Sequence, residues 1–291
     1  MRRFAIMLSL LLPTFVQAQT PSDLDQLQGD WRIVAMFQRS AELMHEPKYR
    51  GSAIEIAKNR FHWKGTDGST VLDGTFDLRP VKQKGAAAEM PMTMAWDGEA
   101  AKEYPGYYVL EKNHLRLSIR VKAQHPKAAV VLKPSTRPEF LTFILERGKG
   151  PLGKTTGAKD ADRIVGSWDV VAYFDDGDDY TNRGRYLSIT KDRLEWKANA
   201  TAKGVSVGAD YKLHPEKTPP WIDFLNTKGG NPPPPPDGFL PSIYRFVDDD
   251  TLLISWPESG WRGDTKPQDR PRPRFITSDG DINLFVLRRR P

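Results

Sequence analysis

The densest run of potentially reactive side chains is Phe174-Asp175-Asp176-Gly177-Asp178-Asp179-Tyr180. Clustered carboxylates can supply the oxygen ligands that a hard cation such as calcium takes. The Asp residues do not alternate ahead of the glycine as a calcium loop requires, and adjacent Asp and Gly are what a tight turn needs in any case. Asp248-Asp249-Asp250 reads the same way. The five histidines, His45, His62, His114, His125 and His214, contain no i, i+2 or i, i+4 pair, whereas zinc wants three or four convergent ligands. Ser167, between Gly166 and Trp168, lacks the glycine two residues on that a nucleophile elbow requires. Gly148 to Thr155 fits P-loop spacing, but no long amphipathic helix follows it. There is no cysteine, which removes thiolate nucleophiles, thiolate metal sites, disulfides and cysteine-linked lipid. The expectation is a chain with no catalytic residue, no metal site and no cofactor.

Aromatic residues are the remaining candidates. Trp63 and Trp196 recur at matching places in two halves of the chain, as core residues do, whereas Trp221, Trp256 and Trp261 do not recur. These last three are the candidate ligand-binding residues. Trp256-Pro257-Glu258-Ser259-Gly260-Trp261 sets two rings in a turn-rich loop that could stack on a sugar or a planar molecule, or anchor a protein contact. Pro232–Pro236 lacks amide donors and must be extended, so it is expected to be a stiff loop between two strands.

What would position these rings is a duplicated fold. Gly29-Asp30-Trp31 returns as Gly166-Ser167-Trp168. Arg50-Gly51, Ile56, Lys58, Arg60 and Trp63 return as Arg183-Gly184, Ile189, Lys191, Arg193 and Trp196 at unchanged internal spacing. Phe76-Asp77-Leu78-Arg79-Pro80 answers to Tyr211-Lys212-Leu213-His214-Pro215, and Arg137-Pro138-Glu139-Phe140 to Arg272-Pro273-Arg274-Phe275. A repeat this long makes each copy a domain rather than one unit of a solenoid. Apolar and polar residues alternate over short runs separated by Gly, Asp, Asn and Pro, the period of half-buried antiparallel strands. About eight such runs fall in each copy, the rhythm of a small up-and-down β-barrel, with a sandwich as the alternative. The chain thus divides into residues 19–147, a Gly-rich linker at 148–158, and residues 159–291. So much glycine in the linker predicts two units that fold separately.

The Gly-x-Trp opening of each copy, with a basic residue at the end of the last strand, resembles the lipocalin-like superfamily. Alternation places Phe143, Leu145 and Arg147 on one face, and Phe285, Leu287 and Arg289 on the other copy's equivalent face. The resemblance implies that Gly29, Trp31 and Arg147, and again Gly166, Trp168 and Arg289, close a barrel floor by stacking guanidinium on indole. More narrowly, the Leu-x-Gly-x-Trp opening, Gly74-Thr75-Phe76-Asp77-Leu78-Arg79-Pro80 and the Arg-Pro-x-x-Phe before a terminal Leu-x-Arg are similar to an uncharacterised bacterial repeat family, typical of Planctomycetes, with lipocalin-like domains. That family implies all-β tandem barrels and brings no catalytic residue.

Met1-Arg2-Arg3, an apolar run from Phe4 to Val16 and then Gln17-Ala18 have the form of an export signal, residues 1–18. The run is shorter than the roughly 20 residues that span a bilayer, so no membrane span is expected in the mature chain. Export to a periplasmic or extracellular compartment follows. Losing Arg2 and Arg3 lowers the net charge from +6 to +4 with both signs interspersed, which does not suit nucleic-acid binding. The reading is an exported, non-enzymatic protein holding a small apolar or amphipathic molecule in a barrel. A protein-interaction scaffold with filled barrels is the alternative, and a carbohydrate-directed protein the third. An eight-stranded barrel can be filled by its own side chains or leave room for one ligand, and the sequence leaves both open.

Overall fold

A computed structural model describes residues 22–38, 41–44, 46, 49, 51–79, 87–95, 100–121, 134–149, 159–181, 186–198, 204, 206–229, 237–257, 272–278 and 282–290. The export signal, most of the linker, Pro232–Pro236 and Trp261 lie outside the described residues. Copy one opens with helix α1 (Asp23–Leu27) and continues as β1 (Gly29–Gln38), β2 (Ala41–Glu42), β3 (Ala53–Ala57), β4 (Arg60–Lys64), β5 (Thr70–Phe76), β6 (Ala88–Glu89), β7 (Met92–Ala95), β8 (Lys102–Tyr104), β9 (Gly106–Glu111), β10 (His114–Arg120) and β11 (Phe140–Arg147). Copy two repeats the plan with α2 (Asp160–Arg163), β12 (Gly166–Asp175), β13 (Asp178–Asp179), β14 (Tyr186–Ile189), β15 (Arg193–Lys197), β16 (Val207–His214), β17 (Trp221–Gly229), β18 (Leu240–Asp248), β19 (Thr251–Pro257) and β20 (Ile282–Arg289).

Among the described residues the protein is all-β apart from two short helices, with antiparallel, up-and-down pairing throughout. In copy two, β12 pairs with β14 on one side and β20 on the other, which closes an eight-stranded barrel. In copy one the corresponding sheet is curled, with β6 at one end beside β9 and β7 near the other beside β5. Only Met90 and Pro91 separate β6 from β7, so the chain itself brings the two ends of the sheet together. We call the two units barrel one and barrel two. In each, the end where β1 or β12 begins is the floor and the opposite end the rim.

The same β-bulge occurs in both first strands, between Ile33 and Ala35 and between Val170 and Ala172. One extra residue turns the following side chains to the opposite face. Trp31, Ile33 and Met36 therefore point into barrel one, while Val34, Ala35 and Phe37 point out of it. Those outward residues pack with Ile144 against Val171, Ala172, Phe174 and Val286, their counterparts on barrel two, in one shared apolar cluster. The two units therefore pack against each other through this buried face. A linker's composition says nothing about the surfaces it connects.

The contact is reciprocal. The Glu42 amide donates to the Ile276 carbonyl at 3.2 Å, and the Asp179 amide, at the equivalent place, donates to the Pro134 carbonyl at 3.3 Å. Glu42 pairs with Arg245 of barrel two and Asp179 with Arg116 of barrel one, the latter at 2.7 Å. Phe37 meets Phe174 at a ring separation of 6.1 Å toward the rims, and Glu146 meets Arg288 at 2.9 Å near the floors. The barrels are thus related by a pseudo-two-fold axis, and both rims face the same side of the molecule. The crossing segments also correct one sequence correspondence. Ser135 and Thr277 each bond the hydroxyl of a matching serine, Ser118 and Ser255. Arg137–Phe140 therefore follows the crossing segment in copy one, whereas Arg272–Phe275 precedes it in copy two. Phe140 is buried and Phe275 is 54% exposed; the resemblance of the two tetrapeptides is one of composition, not of place.

Candidate functional site

The Gly-x-Trp tripeptides build the two floors. Trp31 and Trp168 are fully buried, and each indole N–H donates to a helix-end carbonyl, Leu27 at 2.8 Å and Ile164 at 2.9 Å. The Arg147 guanidinium lies 4.4 Å from the centre of the Trp31 ring, and that of Arg289 lies 4.3 Å from Trp168. Each Arg also donates to the carbonyls flanking its helix, Gln28 for Arg147 at 2.7 Å and Val165 for Arg289 at 2.8 Å. Glycine is needed because Gly29 has φ +110° and Gly166 φ +147°, and a Cβ on Gly166 would strike the Arg289 guanidinium. Cation–π stacking with satisfied donors makes this a structural plug.

A second floor pairing was overlooked at the level of sequence. Tyr108 donates to Asp23 at 2.8 Å and Tyr244 to Asp160 at 2.7 Å, tying each short helix to the barrel above it. Burial is the leading cause that pushes both phenols well above their ordinary value. The signal was present: Asp23 and Asp160 each stand eight residues before the floor Trp.

The other candidates scatter. Asp175–Asp179 forms the β12–β13 turn, with Asp176 at φ 45° and Gly177 at φ 78°. Asp178 and Asp179 are engaged by Arg137 and Arg116 of barrel one. Among the described residues no group of three or more His, Asp or Glu could hold a metal ion. Trp221 lies on the outer side of barrel two, between the Arg272 guanidinium at 4.3 Å and the Lys217 ammonium at 5.2 Å, against the shared cluster. It does not join Trp256, so these two rings form no common platform.

Trp256 is different. In the barrel-two ladders the pairs Trp256 with Asn283, one step before the last pair Pro257 with Ile282, and Trp196 with Val207, the last pair of its ladder, place both indoles at the rim. Inside that rim the Trp256 ring lies 4.4 Å from Phe285, 5.4 Å from Phe224 and 6.4 Å from Trp196. Tyr173 stacks on Phe285 at 4.6 Å, nearly parallel, and donates its hydroxyl to Asn283 at 2.7 Å. Trp256 and Trp196 are 7% and 8% exposed, while Tyr173 and Val207 are only partly buried beside them. The Trp256 Nε1 is buried and has no acceptor among the described residues. Leaving an N–H in that state costs about 1–3 kcal/mol. Trp63 Nε1 in barrel one is likewise unpaired, but Tyr49 stacks over that ring at 5.5 Å. The sequence marks Phe285 only as sharing a face of the last strand with Leu287 and Arg289 and does not mark Tyr173, because their place at the rim depends on the bulge and on strand register.

No helix among the described residues is long and apolar enough to cross a membrane. No family model matches the chain, and no curated protein matches it. Among solved structures, a protein of unknown function from the DUF3598 family of Nostoc punctiforme is similar over 92% of this chain and 97% of its own, at 11% identity and a TM-score of 0.20. A superposition that loose carries no conclusion about fold or activity.

Proposed function

We propose that the chain is an exported, non-enzymatic binding protein that holds a small planar molecule, apolar or amphipathic, at the rim of barrel two. The carrying observation is the buried Nε1 of Trp256, without an acceptor among the described residues and set among the rings of Trp196, Phe224 and Phe285. The surrounding rings favour a flat, polarisable ligand. The indole N–H favours one with a hydrogen-bond acceptor at its edge. The resemblance of the Gly-x-Trp openings to lipocalin-like barrels supports the same reading by analogy.

Barrel one has a different character. Met90, Met92 and Met94 follow one another on its inner face, all fully buried. Flexible thioethers fill irregular space well. This favours a filled, scaffolding role for that half.

Titration with 1,4-naphthoquinone, a planar apolar molecule with two carbonyl acceptors, followed by tryptophan quenching, tests the proposal. Binding of one molecule per chain is expected. Trp256→Phe keeps the ring and removes the donor, so affinity should fall about 2- to 10-fold, the worth of one net hydrogen bond of roughly 0.5–1.5 kcal/mol. Trp63→Phe in barrel one should leave affinity unchanged. No saturable binding, or equal affinity in wild type and Trp256→Phe, would overturn the proposal.

A further inference from the structure

A residue that touches its own counterpart lies on the pseudo-two-fold axis, and among the described residues three such pairs join the barrels. Phe37 with Phe174 and the hydroxyl pair Thr136 with Ser278 are alike on both sides. Either would fit equally well if a barrel docked on a second copy of itself. The third pair is not alike. Glu146 and Arg288 occupy the same position, one residue before the floor arginine, and meet at 2.9 Å with side chains 19% and 13% exposed.

We propose that Glu146 and Arg288 are the specificity determinants of this interface: they select barrel one against barrel two and oppose either barrel pairing with its own kind in a second chain. Self-docking of barrel one would set Glu146 against Glu146, and self-docking of barrel two would set Arg288 against Arg288. Like charges so placed discriminate against a wrong partner more strongly than a good contact rewards the right one.

The interlocking acids do not carry this asymmetry. Asp179 meets Arg116, and the barrel-two residue at the position of Arg116 is Leu253. Glu42 meets Arg245, and the barrel-one residue at that position is Val109. Self-docking of barrel one would set Glu42 at the place of Asp179, against Arg116, and self-docking of barrel two would set Asp179 at the place of Glu42, against Arg245, so these acids find an arginine in either pairing and selection falls to Glu146 and Arg288. The duplicated chain therefore has the geometry of a symmetric dimer and the chemistry of a heterodimer. The partner that this face fits is the other half of the same molecule.

Charge reversal in the full chain is the test. Glu146→Arg gathers Arg32, which lies 2.8 Å from Glu146, with the new arginine and Arg288. Arg288→Glu sets a carboxylate beside Glu146 and Asp248. Each single variant should expose the apolar docking faces, seen as self-association in sedimentation velocity and as a melt split into two transitions. The exchange variant, Glu146→Arg with Arg288→Glu, should sediment as a single chain with one transition. Its midpoint should stay below the wild-type value, because Arg32 and Asp248 keep their signs. Single variants that stay monomeric with one transition, or an exchange variant that associates as strongly as the singles, would overturn the proposal.

Discussion

Replacing Phe174 by alanine separates a two-barrel unit held by a shared core from two barrels that merely share a chain. Phe174 is fully buried, yet it points away from the interior of its own barrel and packs against Phe37 of the other. Truncating a buried phenylalanine costs about 3–5 kcal/mol, part of it lost transfer energy and part the cavity left behind. In a protein of this size each kcal/mol moves the melting midpoint by roughly 2–4 °C. A drop of at least about 6 °C is therefore expected. The shape of the transition is the more telling readout. If the shared cluster couples the barrels, wild type should give one calorimetric transition and Phe174→Ala should broaden or split it. Phe285→Ala, a truncation of the same kind inside barrel two, should lower barrel two without separating it first from barrel one. Two independent wild-type transitions, or a change of less than about 1 kcal/mol at Phe174, would refute the reasoning.

Trp168→Ala removes the barrel-two floor and should cost about 3–5 kcal/mol by chemical denaturation; a much smaller loss would mean that the ring is not part of the core. Asp179→Asn leaves the guanidinium of Arg116, 2% exposed, with only the longer, more exposed contact to Glu111 at 3.4 Å, and should cost up to about 3–5 kcal/mol. The double replacement Arg116→Leu with Asp179→Leu should cost less than that single change, because no buried charge remains. Burial, above all, holds the His114 imidazole below its ordinary value of 6.5 at the seam between the barrels. The unfolded chain takes up this proton as pH falls through about 6.5 and the folded chain only lower down, so stability should fall from pH 7 toward pH 5. His114→Gln should flatten that part of the melting-point profile, and an unchanged profile would remove His114 as the cause.

The sequence carries most of the barrel and little of the seam. Strands β3 and β4 can be read to the residue because their alternation is unbroken on either side of a clear turn at Lys58-Asn59, and β11 because its continuous apolar run ends at Glu146-Arg147 before a glycine. The floor can be read because Gly, Trp and Arg recur at fixed places and a resemblance says what they do. The docking face escapes such reading. Strict alternation from Trp31 would turn Phe37 into barrel one, and only the bulge at Val34 turns it toward Phe174. A bulge leaves no residue type by which to recognise it. The rim cluster is hidden for a related reason: Tyr173 stands in the first strand, Trp196 in β15 and Phe285 in the last, and only closure of the barrel brings them around Trp256. Trp221 and Trp256 look equivalent by composition, yet one packs outside the barrel and the other inside.

Native mass spectrometry of the full-length mature protein, isolated gently from the cells that produce it, tests the central claim most directly. The expected result is a non-covalent adduct of a few hundred daltons, the mass of a small planar ligand. It should be displaced by excess 1,4-naphthoquinone and reduced in Trp256→Phe. A bare polypeptide mass under the same gentle conditions, with no uptake of added naphthoquinone, would contradict the account.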